Sequence, residues 1–149
     1  MAHFTLSMDP AVGPVISAVV GVSHSRRDAL MAAERSVPAP VSIRALIDTG
    51  ASHTCVDSSV IRALQVSPTQ TVQIHTPSTG AEPHTSREYD ISLVVPGAVR
   101  DQAPLTIAVT PVVATELAGT GVQALIGRDI LGDCMLVYNG SYGQFSLAF

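Results

Sequence analysis

The sequence is short of several residue types, and each shortage excludes a class of protein. Tryptophan is absent, aromatic residues make up only 4% and the net charge is −4, which argues against a domain that stacks bases or follows phosphates. The most apolar segment, residues 11–22, contains Gly13, Pro14 and Gly21 and is shorter than the roughly 20 residues of a membrane span. The first residues lack the basic start of a signal peptide. We therefore expect a cytoplasmic protein that contacts neither nucleic acid nor membrane.

Cysteine and metal-binding patterns are equally sparse. The chain has two cysteines, Cys55 and Cys134, which are far apart and form no CxxC pair. Reduced, buried thiols are the favoured interpretation, and a disulfide stays open as the alternative. The five histidines show no spacing that would place two metal ligands on one predicted helix. We expect no metal site and no other cofactor.

The chain does contain apolar sequence, arranged in short blocks. Hydrophobic residues make up 46% of the 149 residues, which is enough for the core of one domain spanning residues 1–149. Runs rich in Val, Ile and Thr alternate with turn residues, and this pattern predicts an all-β domain. Alternate residues from Tyr89 to Val95 share one face, and Asn139-Gly140 is typical of a hairpin turn. The predicted strands are residues 3–8, 15–22, 41–47, 72–76, 87–95, 105–112, 124–126, 135–139 and 144–149.

Helical signals are brief. Asp57 has the character of an N-cap, because apolar residues follow it at helical spacing. The segment RDILGD after Gly127 predicts one or two helical turns. Residues 27–35 contain good helix formers and are followed by Pro38 and Pro40. We interpret residues 23–40 as an insertion between two strands that is helical or loosely ordered.

One charge stands at the end of a predicted strand, in the stretch ALIDTGASHTC at residues 45–55. Asp48 follows three apolar residues and is surrounded by the small residues Thr49, Gly50, Ala51 and Ser52. A D-T-G triplet alone is a weak signal, but the apolar strand before it and a glycine that permits a tight turn add weight. A second apolar pair followed by glycine occurs in ALIGRDIL, at residues 124–131.

In this order the two motifs resemble those of the retropepsins, the single-domain aspartic proteases typified by retroviral proteases. The resemblance runs from about residue 41 to residue 136. It implies an all-β, closed acid-protease barrel with a flap hairpin and one or two short helices. It also implies three groups of site residues: a catalytic motif (Asp48, Thr49, Gly50), substrate-binding residues (Ala51, Ser52, Pro77, Ser78, Thr79, Gly80) and structural support for the active-site loop (Leu125, Ile126, Gly127, Arg128).

The sequence departs from the retroviral pattern in two places. Retroviral enzymes carry an acidic partner for the helix arginine just after D-T-G-A, whereas here Ser52 occupies that position, so Arg128 needs another partner. Their terminal residues interleave at the dimer interface, whereas this chain has the 23–40 insertion and a longer C-terminal hairpin. The way in which a dimer would be sealed is therefore open. We interpret Asp129 as a capping residue of the short helix rather than a catalytic one.

A single D-T-G has a consequence for assembly. Peptide hydrolysis by this route needs one carboxylate as base and a second as acid, and the chain shows no repeated half. The second carboxylate is therefore expected from another copy of Asp48 across an isologous two-fold interface. We predict a homodimeric aspartic endopeptidase that acts on an extended peptide or protein. A non-catalytic dimer used for peptide binding or assembly is the alternative, and a monomer that pairs only at high concentration is a third possibility.

The segment between two predicted strands, residues 74–86, is rich in turn formers. Pro77, Ser78, Thr79, Gly80 and Pro83 lie within it. An ordinary surface hairpin and a flap over the substrate both fit this composition. The order of the motifs favours the flap, which would exclude water and hold an extended peptide by its backbone.

Overall fold

The computed structural model describes residues 1–74, 83–97, 99 and 101–149. Within this part of the chain, three helices form: α1 (His24–Ala32), α2 (Ser58–Ala63) and α3 (Arg128–Leu131). None of these described helices is long and apolar enough to cross a membrane. The described residues also form ten strands: β1 (His3–Ser7), β2 (Val15–Val22), β3 (Val41–Ile47), β4 (Cys55–Asp57), β5 (Gln70–Ile74), β6 (His84–Val95), β7 (Leu105–Thr115), β8 (Ala124–Ile126), β9 (Met135–Asn139) and β10 (Gln144–Ala148).

Six of the strands close into a barrel. The larger sheet has the order β2-β3-β8-β4-β7-β6-β5. Because β2 also pairs with β6, the first six strands of this order form a ring. β5 lies outside the ring as an antiparallel neighbour of β6. Most pairs are antiparallel, but β3 and β8 run parallel, as do β4 and β7. The predicted all-β class with a closed barrel is therefore confirmed.

Alternate residues of the strands fill the interior of this barrel. β2 buries Ile16, Ala18, Val20 and Val22, and the residues between them are more exposed. In β6 the alternate residues from Tyr89 to Val95 are all buried, as the sequence predicts. Side chains that alternate between the two faces of a closed sheet give one apolar core and one solvent face. The period of two in the sequence thus decides which residues point inward.

A second sheet, with strand order β1-β10-β9, packs its inner face against the same core. Phe4, Phe145 and Leu147 are buried members of that core. The rings of Phe4 and Phe149 meet edge to face with their centroids 6.0 Å apart, a favourable aromatic geometry. The Phe149 N–H donates to the Ala2 carbonyl at 2.9 Å. The first and last residues of the described chain are therefore held in one sheet.

The helices agree with the predicted signals, with shifts at their ends. The Asp57 carboxylate accepts a hydrogen bond from the Ser59 N–H at 2.9 Å, which confirms Asp57 as the N-cap of α2. Helix α1 begins at His24, earlier than the predicted residue 27, because the Ser23 hydroxyl accepts from the Arg26 N–H at 3.4 Å and caps it. The first half of the 23–40 insertion is therefore helical.

Four strands differ from the sequence prediction at one end only: β1 ends at residue 7 instead of 8, β6 begins at 84 instead of 87, β7 ends at 115 instead of 112, and β10 ends at 148 instead of 149. Two more, β4 and β5, differ further. β4 was not predicted, because three residues are too short for a visible alternation pattern. β5 spans Gln70–Ile74 rather than residues 72–76, and residues 75 and 76 lie outside the described residues.

Candidate active site

The two sequence motifs lie side by side in the barrel. β3 and β8 pair in parallel, with Ile47 opposite Ile126. Just beyond this pair the Asp48 N–H donates to the Ile126 carbonyl at 3.0 Å. Because the two strands run in the same direction, Asp48 and Gly127 leave the barrel at the same end. The fold therefore brings together motifs that are far apart in sequence.

Asp48 is half-buried in a tight turn. The Gly50 N–H donates to its Oδ1 atom at 2.9 Å, and the Ala51 N–H donates to its carbonyl at 3.2 Å. A Cβ atom on Gly50 would lie 3.1 Å from the same Oδ1, so glycine leaves room for the carboxylate. The Oδ2 atom accepts no hydrogen bond from any described residue. The turn fixes one carboxylate oxygen and leaves the other open to a water molecule or a substrate group.

Arg128, at the start of α3, ties that helix to the Asp48 turn. Its Nη1 atom donates to the carbonyls of Thr49 at 2.8 Å and Gly50 at 3.2 Å. Its backbone N–H donates to the Ala51 carbonyl at 2.9 Å. The partner that replaces the missing acidic residue is thus the main chain of the turn itself. One cationic side chain therefore binds two carbonyls of the turn through charge-assisted hydrogen bonds.

A buried threonine joins the turn to α3 from below. Thr54 is 0% exposed, and its hydroxyl donates to Asp129 Oδ1 at 2.8 Å while accepting from the Gly127 N–H at 3.1 Å. The Thr54 N–H donates to Asp129 Oδ2 at 2.8 Å, and the Ile130 N–H donates to Asp129 Oδ1 at 3.0 Å. Asp129 thus binds the first turn of α3 and the end of the Asp48 loop together. The sequence analysis missed Thr54, because nothing in its local sequence context distinguishes it from an ordinary loop residue.

Gly127 allows two backbone segments to approach closely. A Cβ atom at this position would lie 2.6 Å from the His53 carbonyl carbon and 2.8 Å from the carbonyl oxygen. Both atoms belong to the main chain, which cannot swing aside as a flexible side chain can. The glycine of the second motif is therefore required by packing against the loop that follows Asp48.

Comparisons with known proteins agree with this geometry. Residues 39–130 match the family model described as aspartyl protease, over more than half of the chain and across both motifs. The chain belongs to the aspartyl protease family. Among solved structures, it is similar to a retropepsin-like aspartic protease from Rickettsia conorii, with a TM-score of 0.55 and 12% identity, over 99% of this chain and 91% of that chain. At this identity the likeness shows a retropepsin-like fold and no more. A search of curated proteins gave no match.

The two thiols of this chain are free and half-buried, so no disulfide joins them in this structure. Burial raises the pKa of the Cys55 thiol above its ordinary value, and the nearby carboxylates of Asp129 and Asp48 raise it further. Burial, and then Asp133, raise the pKa of Cys134 in the same direction. Both thiols are therefore protonated at neutral pH, and Cys55 adds no charge beside Asp48.

The remaining predicted site residues fall into three groups. Thr49 and Ser52 are exposed on the turn, whereas Ala51 is half-buried. Leu125 and Ile126 lie in β8 beneath the turn. Pro77, Ser78, Thr79 and Gly80 lie outside the described residues, which include β5 and β6 as an antiparallel pair up to Ile74 and His84.

Proposed function

We propose that this member of the aspartyl protease family is an endopeptidase that works as a homodimer and hydrolyses peptide bonds with two copies of Asp48. The observation that carries the proposal is the Asp48 turn, in which one carboxylate oxygen is held by the Gly50 N–H at 2.9 Å and the other accepts no hydrogen bond from the described residues. The chain contains a single D-T-G motif. A chemistry that needs two carboxylates therefore needs a second chain.

The proposed reaction divides two proton transfers between the carboxylates. One Asp48 is ionised and takes a proton from water as the water oxygen attacks the peptide carbonyl carbon. The other is protonated and donates its proton to the carbonyl oxygen, which gives a tetrahedral diol. Collapse of the diol breaks the C–N bond as a proton passes to the leaving nitrogen. Two carboxylates close together cannot both ionise easily, so they share one proton and titrate as a pair.

The neighbouring residues support this arrangement in distinct ways. Thr49 is exposed, and its carbonyl is held by Arg128 at 2.8 Å, so we assign its side chain to a hydrogen bond across the two-fold axis. Ala51 and Ser52 line the entrance to the substrate site. Leu125, Ile126, Gly127 and Arg128 hold the turn in place from beneath.

The segment with Pro77, Ser78, Thr79 and Gly80 is assigned to a flap over the substrate. The support comes from the sequence and from the β5–β6 pairing that leads into this segment at Ile74 and His84. A strand pair that projects from the barrel is well suited to hold an extended peptide through backbone hydrogen bonds.

The test compares Asp48→Asn with Asp101→Asn, a matched change at an exposed carboxylate in the segment before β7. The substrate is an unstructured protein or a peptide library, and circular dichroism checks that each variant is folded. We expect Asp48→Asn to lose at least about 100-fold in kcat/KM, because the general acid and base are both removed, and Asp101→Asn to match the wild type. Cleavage by Asp48→Asn at the wild-type rate would show that Asp48 is not the catalyst.

A second readout separates an enzyme from a non-catalytic binding module. A peptide inhibitor that mimics the tetrahedral intermediate should bind the wild type and lose affinity in Asp48→Asn. If the wild type binds unmodified peptide but neither cleaves it nor prefers the mimic, a peptide-binding dimer replaces the enzyme as the better conclusion.

A further inference from the structure

A cavity of about 200 Å³ lies between the first turn of α1, the segment that follows α2, and β6. This volume is several times the roughly 30 Å³ that one water molecule occupies in the liquid. None of the residues that line the cavity belongs to the Asp48 turn, to β8 or to α3. The cavity is therefore separate from the candidate active site. The lining residues are Ser23, Arg26, Val66, Ser67, Thr69 and Asp90.

Backbone pairing holds the three segments together. The last residue of β2 lies opposite Ile91 of β6, which places Ser23, the N-cap of α1, next to Asp90. The Thr69 N–H donates to the Glu88 carbonyl at 2.8 Å and holds the connection between α2 and β5 against the same strand. β6 therefore forms the floor of the cavity, and α1 and the α2–β5 connection form its sides.

Arg26 brings a positive charge to the cavity, and most of its hydrogen-bonding capacity is unused. A guanidinium has five N–H donors, and only Nη2 is bound to a described residue, through a hydrogen bond of 3.3 Å to the Gln65 carbonyl. The Nε atom is buried, and no described residue accepts its hydrogen. A buried donor without an acceptor is unfavourable, and more so in a charged group. A ligand that supplies an acceptor to Arg26 is therefore favoured.

Asp90 brings a negative charge to the same cavity and is also unpaired. Its half-buried carboxylate forms no hydrogen bond and no ion pair with Arg26 or with any other described residue. The cavity thus presents one cation and one anion, held on different elements, that do not neutralise each other. A ligand with a single charge would be attracted by one of them and repelled by the other. A ligand that carries both charges complements the cavity.

We propose that this cavity is a binding site for a free α-amino acid with a small apolar side chain. Arg26 binds the carboxylate, since a guanidinium matches carboxylate geometry, and Asp90 binds the ammonium group. Val66, which packs against the core, offers apolar surface to the side chain of the ligand. Ser67 and Thr69 are exposed and mark the side on which the ligand enters. The inference goes beyond the proposed peptidase function and does not depend on it.

The first test titrates L-valine into isotope-labelled protein and follows the amide resonances by NMR. Isovalerate lacks the ammonium group and valinamide lacks the carboxylate, while both keep the side chain of valine. We expect valine to shift the amides of Ser23, Arg26 and Asp90 in a saturable way. Each control should bind at least about tenfold more weakly, because each has lost a charge-assisted hydrogen bond.

Two results of this titration would overturn the proposal. One is the absence of a saturable shift at these amides up to the solubility limit of valine. The other is an equal affinity for isovalerate, which would exclude Asp90 as a binding group and with it the assignment to an amino acid.

The second test removes each charge while nearly keeping the shape of the side chain. Arg26→Gln and Asp90→Asn are compared with two matched changes at exposed positions, Arg27→Gln and Asp101→Asn. Arg27 is the next residue of α1 and pairs with Asp28 at 3.1 Å. We expect the first two variants to raise the dissociation constant of valine at least about tenfold and the controls to match the unsubstituted protein. Equal affinities of Arg26→Gln and Arg27→Gln, with both folded by circular dichroism, would contradict the site.

A direct ion pair between Arg26 and Asp90 is the competing arrangement. Urea unfolding without valine, on the two single variants and the double variant, measures the coupling between these residues. The proposal expects the two single effects to add. A coupling as large as that of a direct ion pair would show that the charges neutralise each other, and it would overturn the proposal.

All of these measurements use the Asp48→Asn background, so that self-cleavage does not enter them. A wild type that cleaves peptides while its Asp48→Asn form binds no valine would sink this inference alone. A protein that binds valine and cleaves nothing would sink only the proposed function.

Discussion

Replacing Thr54 by valine removes one hydroxyl from beneath the Asp48 turn while keeping the shape of the side chain. That hydroxyl accepts from the buried Gly127 N–H and donates to Asp129 Oδ1. A buried donor left without a partner costs about 1–3 kcal/mol. Asp129 is exposed, so water can replace the hydrogen bond that its carboxylate loses. The loss of that bond therefore adds little to the change in the free energy of unfolding. We expect Thr54→Val to lower the free energy of unfolding by about 2 kcal/mol.

The matched variant is Thr54→Ser, which keeps the hydroxyl and removes only the methyl group. Its expected cost is about 1 kcal/mol, as for other single methyl deletions in a core. Urea unfolding followed by circular dichroism, at one fixed protein concentration, measures both variants. With a slope of about 2 kcal/mol per molar urea, Thr54→Val should shift the midpoint by roughly 1 M. The hydroxyl network is refuted as the source of stability if Thr54→Ser is as destabilised as Thr54→Val, or if Thr54→Val lies within about 0.5 kcal/mol of the wild type.

Two further predictions follow from packing and charge. Gly127→Ala places a Cβ atom 2.6 Å from the His53 carbonyl carbon. We therefore expect the free energy of unfolding, measured in urea, to fall by about 1–3 kcal/mol, and the activity to fall with it. A variant as stable as the wild type would contradict the close approach. Hydrogen bonds from the Ser59 hydroxyl, the Leu117 N–H and the Ser59 N–H lower the pKa of Asp57 below its ordinary 3.8. Because the folded pKa is the lower one, this stabilisation is present at neutral pH and is lost as the pH falls through the lowered folded pKa. The urea midpoint of the wild type should therefore fall more between pH 6 and pH 3 than that of Asp57→Asn; parallel pH profiles would contradict this assignment.

The sequence is informative wherever one local rule decides the structure. Val15–Val22, Val41–Ile47, Ala124–Ile126 and Met135–Asn139 were predicted with the bounds that the structure has. In each of them, apolar β-branched residues are bounded by turn formers or by a change of composition. The N-cap at Asp57 was visible for the same reason, since one short carboxylate before an apolar helical pattern is a local signal.

The candidate site was only partly visible, because its contacts join distant segments. D-T-G and the second motif identified Asp48 and Gly127, but neither shows that Arg128 would use the main-chain carbonyls of Thr49 and Gly50. Thr54 has no unusual sequence context, and its role comes from burial against a residue 75 positions away. Contacts of this kind depend on tertiary packing, which no periodicity in a single sequence encodes.

The parallel pairing of β3 with β8 also determines when the site can form. The hydrogen bond from Arg128 to Thr49 joins residues 79 positions apart in the chain. Such long-range pairing is slow, since the entropy of closing a long loop is lost before any contact compensates for it. A growing chain that has not yet reached residue 124 lacks β8, α3 and the arginine that fixes the turn. The Asp48 turn is therefore among the last parts of the molecule to take its final shape, and a partly synthesised chain carries the aspartate without the geometry around it.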